Sequence, residues 1–136
     1  MMKILVAEDD FVCQLLMREF LQALGALDIV FNGRMALEAA TAALASDQPY
    51  DLICLDIMMP EMDGQAVLRA IRQAEAAHAA GARRAKIIMT TALADQQMIV
   101  QAFQAQCDGY LVKPFDRANV LDTLAQLGLV PPAPTP

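Results

Sequence analysis

The sequence predicts a doubly wound α/β domain on a five-stranded parallel sheet, and two observations carry that expectation. Five short apolar runs alternate with five longer segments of helical period, the order of a parallel sheet covered by crossover helices. The apolar runs are near-continuous rather than alternating, as strands buried on both faces should be. Right-handed crossovers leave few topologies, and the flavodoxin-like strand order 2-1-3-4-5, with helices on both faces, is the natural one.

The elements follow in order. Lys3 to Ala7 reads as the first strand. Phe11 to Leu24 reads as a helix, with Gly25 as its C-terminal stop. Leu27 to Phe31 is a weaker second strand, and Asn32-Gly33 is a turn signal before an Ala-rich helix to about Ser46. Tyr50 to Leu55 is the third strand, introduced by Pro49. Met59-Pro60 breaks the chain before a helix from Gly64 to about Ala79, with Ala80-Gly81-Ala82 as a connection. Lys86 to Thr90 is the fourth strand, and Asp95 is a plausible N-cap for a helix to about Gln106. Gly109 to Val112 is the short fifth strand, Pro114 interrupts, and Arg117 to Leu127 forms the last helix. One domain over residues 1–129 is expected. Residues 130–136, with four prolines from Pro131 onward, read as an extended tail or cut linker.

Composition narrows the function. Hydrophobic residues make up 57% and charged residues 19%, a globular rather than disordered balance. The apolar runs fall far below the roughly 18 residues of a membrane span, and the N-terminus shows no signal-peptide pattern. With 16 acids against 10 bases the net charge is −6, and no basic cluster exceeds Arg83-Arg84 with nearby Lys86. Direct binding to nucleic acid is not expected, because phosphate neutralisation needs clustered Lys and Arg. Cys13, Cys54 and Cys107 have no metal-ligand spacing and read as reduced thiols of a cytoplasmic protein.

In open α/β sheets a site forms outside the carboxyl ends of the strands, near the switch in strand order. Strand one delivers Glu8, Asp9 and Asp10 there, strand three Asp56, strand four Thr90 and Thr91, and strand five Lys113. Clustered carboxylates repel unless a cation joins them, and Glu8, Asp9 and Asp56 offer the hard oxygen ligands that suit Mg²⁺. An aspartate nucleophile forming an acyl phosphate is established chemistry, so Asp56 is the candidate phospho-acceptor. Lys113 would neutralise a phosphoryl oxygen as a point charge, and the Thr91 hydroxyl would donate to another. Taken singly, each residue has a plainer role. Asp9 or Asp10 can cap the next helix, Lys113 can be a surface lysine, and Thr91 can be structural. Asp56 follows a buried-strand pattern, where an acid needs a partner.

Four motifs resemble the receiver domain of bacterial two-component response regulators. They are Ile4-Leu-Val-Ala-Glu-Asp-Asp10, Asp51-Leu-Ile-Cys-Leu-Asp-Ile-Met-Met-Pro-Glu-Met-Asp-Gly64, Thr91-Ala92, and Gly109-Tyr-Leu-Val-Lys-Pro-Phe115. The resemblance spans about Lys3 to Leu127. It implies Asp56 as phospho-acceptor, Asp9 as direct metal ligand, Glu8 as the neighbouring acid, and the Met58 backbone carbonyl as a further ligand. It implies Lys113 as the phosphate-contacting lysine, with a cis peptide to Pro114, and Thr91 with Tyr110 as the switch pair. The phosphoryl donor would be a histidine kinase or phosphotransfer protein. The domain would be a stoichiometric acceptor rather than an enzyme. Output would pass through the face made by the fourth helix, fifth strand and fifth helix, where Ile99, Phe103 and Tyr110 would meet a protein partner or a second copy. Apolar Met58 and Leu93, two residues past Asp56 and Thr91, imply slow loss of the phosphoryl group.

Some features depart from the commonest pattern. Glu8 stands where Asp is frequent, Thr90 offers a second hydroxyl, the Ala74 to Ala85 stretch is long, and no output domain is expected in the residues after Leu127. Three other readings compete. A Mg²⁺-dependent phosphohydrolase would need room for a substrate-binding cap. A flavin or nucleotide module would need a Gly-, Ser- or Thr-rich loop where Glu8-Asp9-Asp10 stands. A scaffold receiver would not need every site position filled.

Overall fold

The computed structural model describes residues 1–78, 84–92 and 96–132. Five strands, β1 (Met2–Ala7), β2 (Gly25–Val30), β3 (Leu52–Asp56), β4 (Lys86–Thr91) and β5 (Gly109–Val112), form one parallel sheet in the order β2-β1-β3-β4-β5. Among the described residues five helices connect and follow them: α1 (Phe11–Leu21), α2 (Gly33–Ala45), α3 (Gly64–Ala77), α4 (Gln96–Gln104) and α5 (Arg117–Gln126). The expected class and strand order are those of the molecule.

Alternate residues of the central strands feed two cores. Leu5, Ile53, Leu55, Ile87 and Met89 pack on one side of the sheet with Ala36, Ala40, Val67, Leu68, Ile71 and Ala102 of α2, α3 and α4. Ile4, Val6, Leu52, Cys54 and Ile88 pack on the other with Met17, Leu21, Val120 and Leu124 of α1 and α5. Every residue of β3 is buried, which is why its sequence shows no polar alternation before Asp56. Full burial of each large aliphatic side chain contributes about 1.5–3 kcal/mol, so this strand anchors the sheet.

Local chemistry sets the helix ends. Asn32 caps α2 by accepting from the Met35 N–H at 2.8 Å, and Asp116 with Asn119 forms a capping box at α5. After α5, Gly128 takes φ +76°, and the Gly128 and Leu129 N–H groups bond back to Ala125 and Leu124.

Several boundaries differ from those expected. α1 stops at Leu21, and Gly25 is not its cap but the first residue of β2, opposite Met2. A Cβ there would collide with the Met2 carbonyl, so this glycine serves close strand approach. β3 starts at Leu52 rather than Tyr50, whose buried ring instead sends its hydroxyl to Asp28 Oδ2 at 2.7 Å. Asp10 occupies the N-cap position of α1 without a side-chain cap bond. Val130 packs with Leu129 against the α1–α5 core. The proposed Asp95 cap, Leu93, the Ala80-Gly81-Ala82 connection and the last four tail residues lie outside the described residues.

Candidate functional site

The parallel sheet turns the carboxyl ends of β1, β3, β4 and β5 to one edge, where the chain supplies its acids and its lysine. Glu8 follows β1, and its backbone N–H is held by the Val30 carbonyl at 3.0 Å. Glu8 and Asp56 are buried, at 3% and 4% exposure, whereas Asp9 is exposed. Carboxylate oxygens of Glu8, Asp9 and Asp56 lie within 4.8 Å of one another.

Lys113 reaches into this group from the end of β5. Its Nζ is 2.6 Å from Glu8 Oε1 and 3.0 Å from Asp56 Oδ2. The remaining Asp56 oxygen accepts the Met58 N–H at 3.1 Å, and Glu8 Oε2 accepts the Asp10 N–H at 3.1 Å. Burial, with Asp56 adding to it, pushes the Glu8 carboxyl up to about 7 despite the lysine. Burial alone would lower Lys113, but its bonds to Glu8 and Asp56 outweigh that and hold it protonated above its ordinary range. The Lys113 N–H donates to the Thr91 carbonyl at 2.7 Å, and the Lys113–Pro114 peptide is cis.

The site thus brings Glu8, Asp9, Asp56 and Lys113 together. The two threonines are placed differently. Thr90 lies opposite Asp56 in the β3–β4 register, while Thr91 lies one step beyond, fully buried and opposite Val112. Tyr110 lies opposite Met89 and packs against the core beneath α4. Met98 and Ala102 on α4 and Ala105 just past it face that core; Ile99 is half-buried, and Phe103 stands 49% exposed. The Met58 side chain is exposed beside the acids.

One feature was missed in the sequence. Phe11, Val12, Leu15 and Leu16 are exposed on α1, and Leu16 lines a groove of about 280 Å³ with Cys13, Ala92, Lys113, Pro114 and Phe115. The signal was available: apolar positions 11, 12, 15 and 16 are too many for a helix that buries only Met17 and Leu21.

Three hard carboxylate donors of this spacing fit a small divalent cation that retains water. The response regulator receiver domain family matches residues 4–125. The chain is 32% identical over 125 residues to the chemotaxis protein CheY of Bacillus subtilis, covering 90% of this chain and 93% of that protein. It is 38% identical over 120 residues to the transcriptional regulatory protein ResD of the same organism, covering 88% of this chain but 45% of that protein. Among solved structures it resembles the receiver domain of a sensor histidine kinase from Pseudomonas aeruginosa, with magnesium coordinated in the active-site cleft. The identity is 33%, the TM-score 0.74, and the match covers 92% of this chain and 95% of that one. The chain therefore belongs to the response regulator receiver family and is a receiver domain of two-component signalling.

Proposed function

We propose that Asp56 is the phospho-acceptor and that the domain takes its phosphoryl group from a phosphohistidine on a histidine kinase or phosphotransfer protein. The observation that carries this reading is the Asp56 carboxylate, buried at a strand end with one oxygen on Lys113 and one on the Met58 N–H. A carboxylate fixed in this way is oriented for attack on phosphorus. An Asp56 oxygen would bond to phosphorus as the phosphorus–nitrogen bond breaks, leaving an acyl phosphate and a free imidazole. Lys113, already between the acids, would follow the incoming negative charge, and Thr91 would donate its hydroxyl to a phosphoryl oxygen. Glu8, Asp9, Asp56 and the Met58 carbonyl would hold Mg²⁺, which when bound neutralises charge on the phosphoryl oxygens.

The domain acts stoichiometrically, in the cytoplasm, as part of its own reaction rather than as a turnover enzyme. The apolar face of α1 beside the groove at Lys113 suits a protein donor. Ile99 and Phe103 on α4, with Tyr110 as the switch aromatic, suit a downstream partner or a second copy.

Intact mass after incubation with acetyl phosphate and Mg²⁺ tests the acceptor. A single phosphoryl adduct on the natural chain, lost in Asp56→Asn and without Mg²⁺, is expected. An adduct that survives Asp56→Asn would overturn the assignment.

A further inference from the structure

Two side chains of α3 hold α4, one at each end, and they do so unequally. Gln65 and Arg72 are seven residues apart and share one face of α3. Both are nine-tenths buried, at 9% and 8% exposure.

Arg72 makes the firm hold. Its Nε donates to the Gln106 carbonyl, just past α4, at 3.0 Å. One terminal nitrogen donates to Glu75 Oε1 at 2.7 Å and to the Ala85 carbonyl at 2.8 Å. The other donates to Asp108 Oδ2 at 2.8 Å, and the same oxygen accepts the Ile87 N–H at 2.9 Å. These charge-assisted bonds fasten the turn after α4 to α3 and β4 together.

Gln65 makes the weak hold. Its Nε2 donates one bond of 3.0 Å to the Met98 carbonyl in the first turn of α4. Its Oε1 is buried with no hydrogen-bond partner among the described residues. A half-satisfied buried amide is worse for the resting fold than an apolar side chain of the same shape. Stability of that state does not account for a glutamine here.

Gln65 also follows directly on a residue packed against the acceptor strand. The preceding Gly64 donates its N–H to the Ile57 carbonyl at 2.9 Å, and a Cβ on Gly64 would collide with the Asp56 carbonyl. The Asp56 backbone thus lies against Gly64, the chain neighbour of Gln65, and Gln65 bonds to the front of α4.

We propose that Gln65 is the release point of α4. It is a positioning residue that gives way when Asp56 is phosphorylated, while Arg72 keeps the back turn fixed, so that α4 pivots about Gln106–Asp108. The trigger rests on the acceptor reading above; the unequal hold does not.

The variant to use is Gln65→Met, which keeps length but removes the donor and the orphan oxygen. Amide hydrogen exchange is read residue by residue by NMR, with Mg²⁺ and with or without beryllofluoride as the phosphoryl stand-in. In the resting variant, the Val100 to Ala102 amides should exchange about tenfold faster than in the natural chain, the loss of one net hydrogen bond. Those of Ala105 to Cys107 should not change, and the denaturation midpoint should hold or rise. Beryllofluoride should speed the same front amides in the natural chain and add little in the variant. A uniform change along α4, or none, overturns the proposal. Failure of beryllofluoride to bind the natural chain would overturn the trigger together with the acceptor reading. It is told apart by the resting Gln65→Met pattern, which reads the hold alone.

Discussion

The Lys113 ammonium lies 2.6 Å from Glu8 Oε1 and also reaches Asp56 Oδ2 at 3.0 Å, so one cation stands between two buried acids. Removing it leaves both carboxylates facing each other without a counter-charge. Lys113→Met should lower stability by about 3 kcal/mol in Mg²⁺-free buffer, near the lower end for a broken buried pair. Millimolar Mg²⁺ should restore most of that loss. Urea denaturation with and without Mg²⁺ measures both, and an unchanged midpoint would show that the lysine does not neutralise the pair.

Glu8 supplies a pH dependence with a definite sign. Its folded-state value of about 7 lies above its ordinary 4.5. Between those values the folded chain holds a proton that the unfolded chain has lost, so its contribution to stability falls as pH rises through 7. A divalent cation requires the ionised acid. Mg²⁺ affinity should therefore strengthen from pH 6 to pH 8, by up to about tenfold per pH unit below the titration point. Calorimetric titration of the natural chain and Glu8→Gln checks this: the variant should bind more weakly, with a flatter pH profile.

The register separates the two threonines. Thr90 is opposite Asp56, yet Thr91 ends the strand and its carbonyl holds the Lys113 N–H. Thr91→Ala should slow adduct formation from acetyl phosphate about tenfold or more, the loss of one hydrogen bond to a charged group. Thr90→Ala should leave it nearly unchanged. The reverse order would move the phosphoryl contact to Thr90.

Met58 is exposed beside the acceptor and has no side-chain group to orient water. Loss of phosphate from the adduct should be slow, and Met58→Asn should hasten it severalfold by offering a hydrogen-bonding amide to an attacking water. Mass spectra taken over time after gel filtration read the rate, and equal decay in both proteins would remove Met58 from that role.

Legibility followed burial. The doubly buried strands Ile4–Ala7 and Leu52–Leu55 announce themselves because no position on either face reaches water. Glu8, Asp9, Asp56 and Lys113 were legible because a parallel sheet sends all strand ends to one edge. Gly25 was misread because a glycine after a helical run looks like a left-handed stop, and only the partner strand reveals the close approach. Nothing local singles out Gln65 and Arg72 among the polar residues of α3. Their partners at Met98 and Gln106 lie over thirty positions away, beyond any local pattern.

The bond between Glu8 and Lys113 joins residues 105 positions apart. No contiguous fragment lacking either end of that span contains the pair, and a chain still emerging from the ribosome has not yet made it. The buried acids therefore gain their ammonium counter-charge only once both ends of that span are made and folded together. A fragment cut just before Lys113 would keep Glu8, Asp9 and Asp56 without that counter-charge.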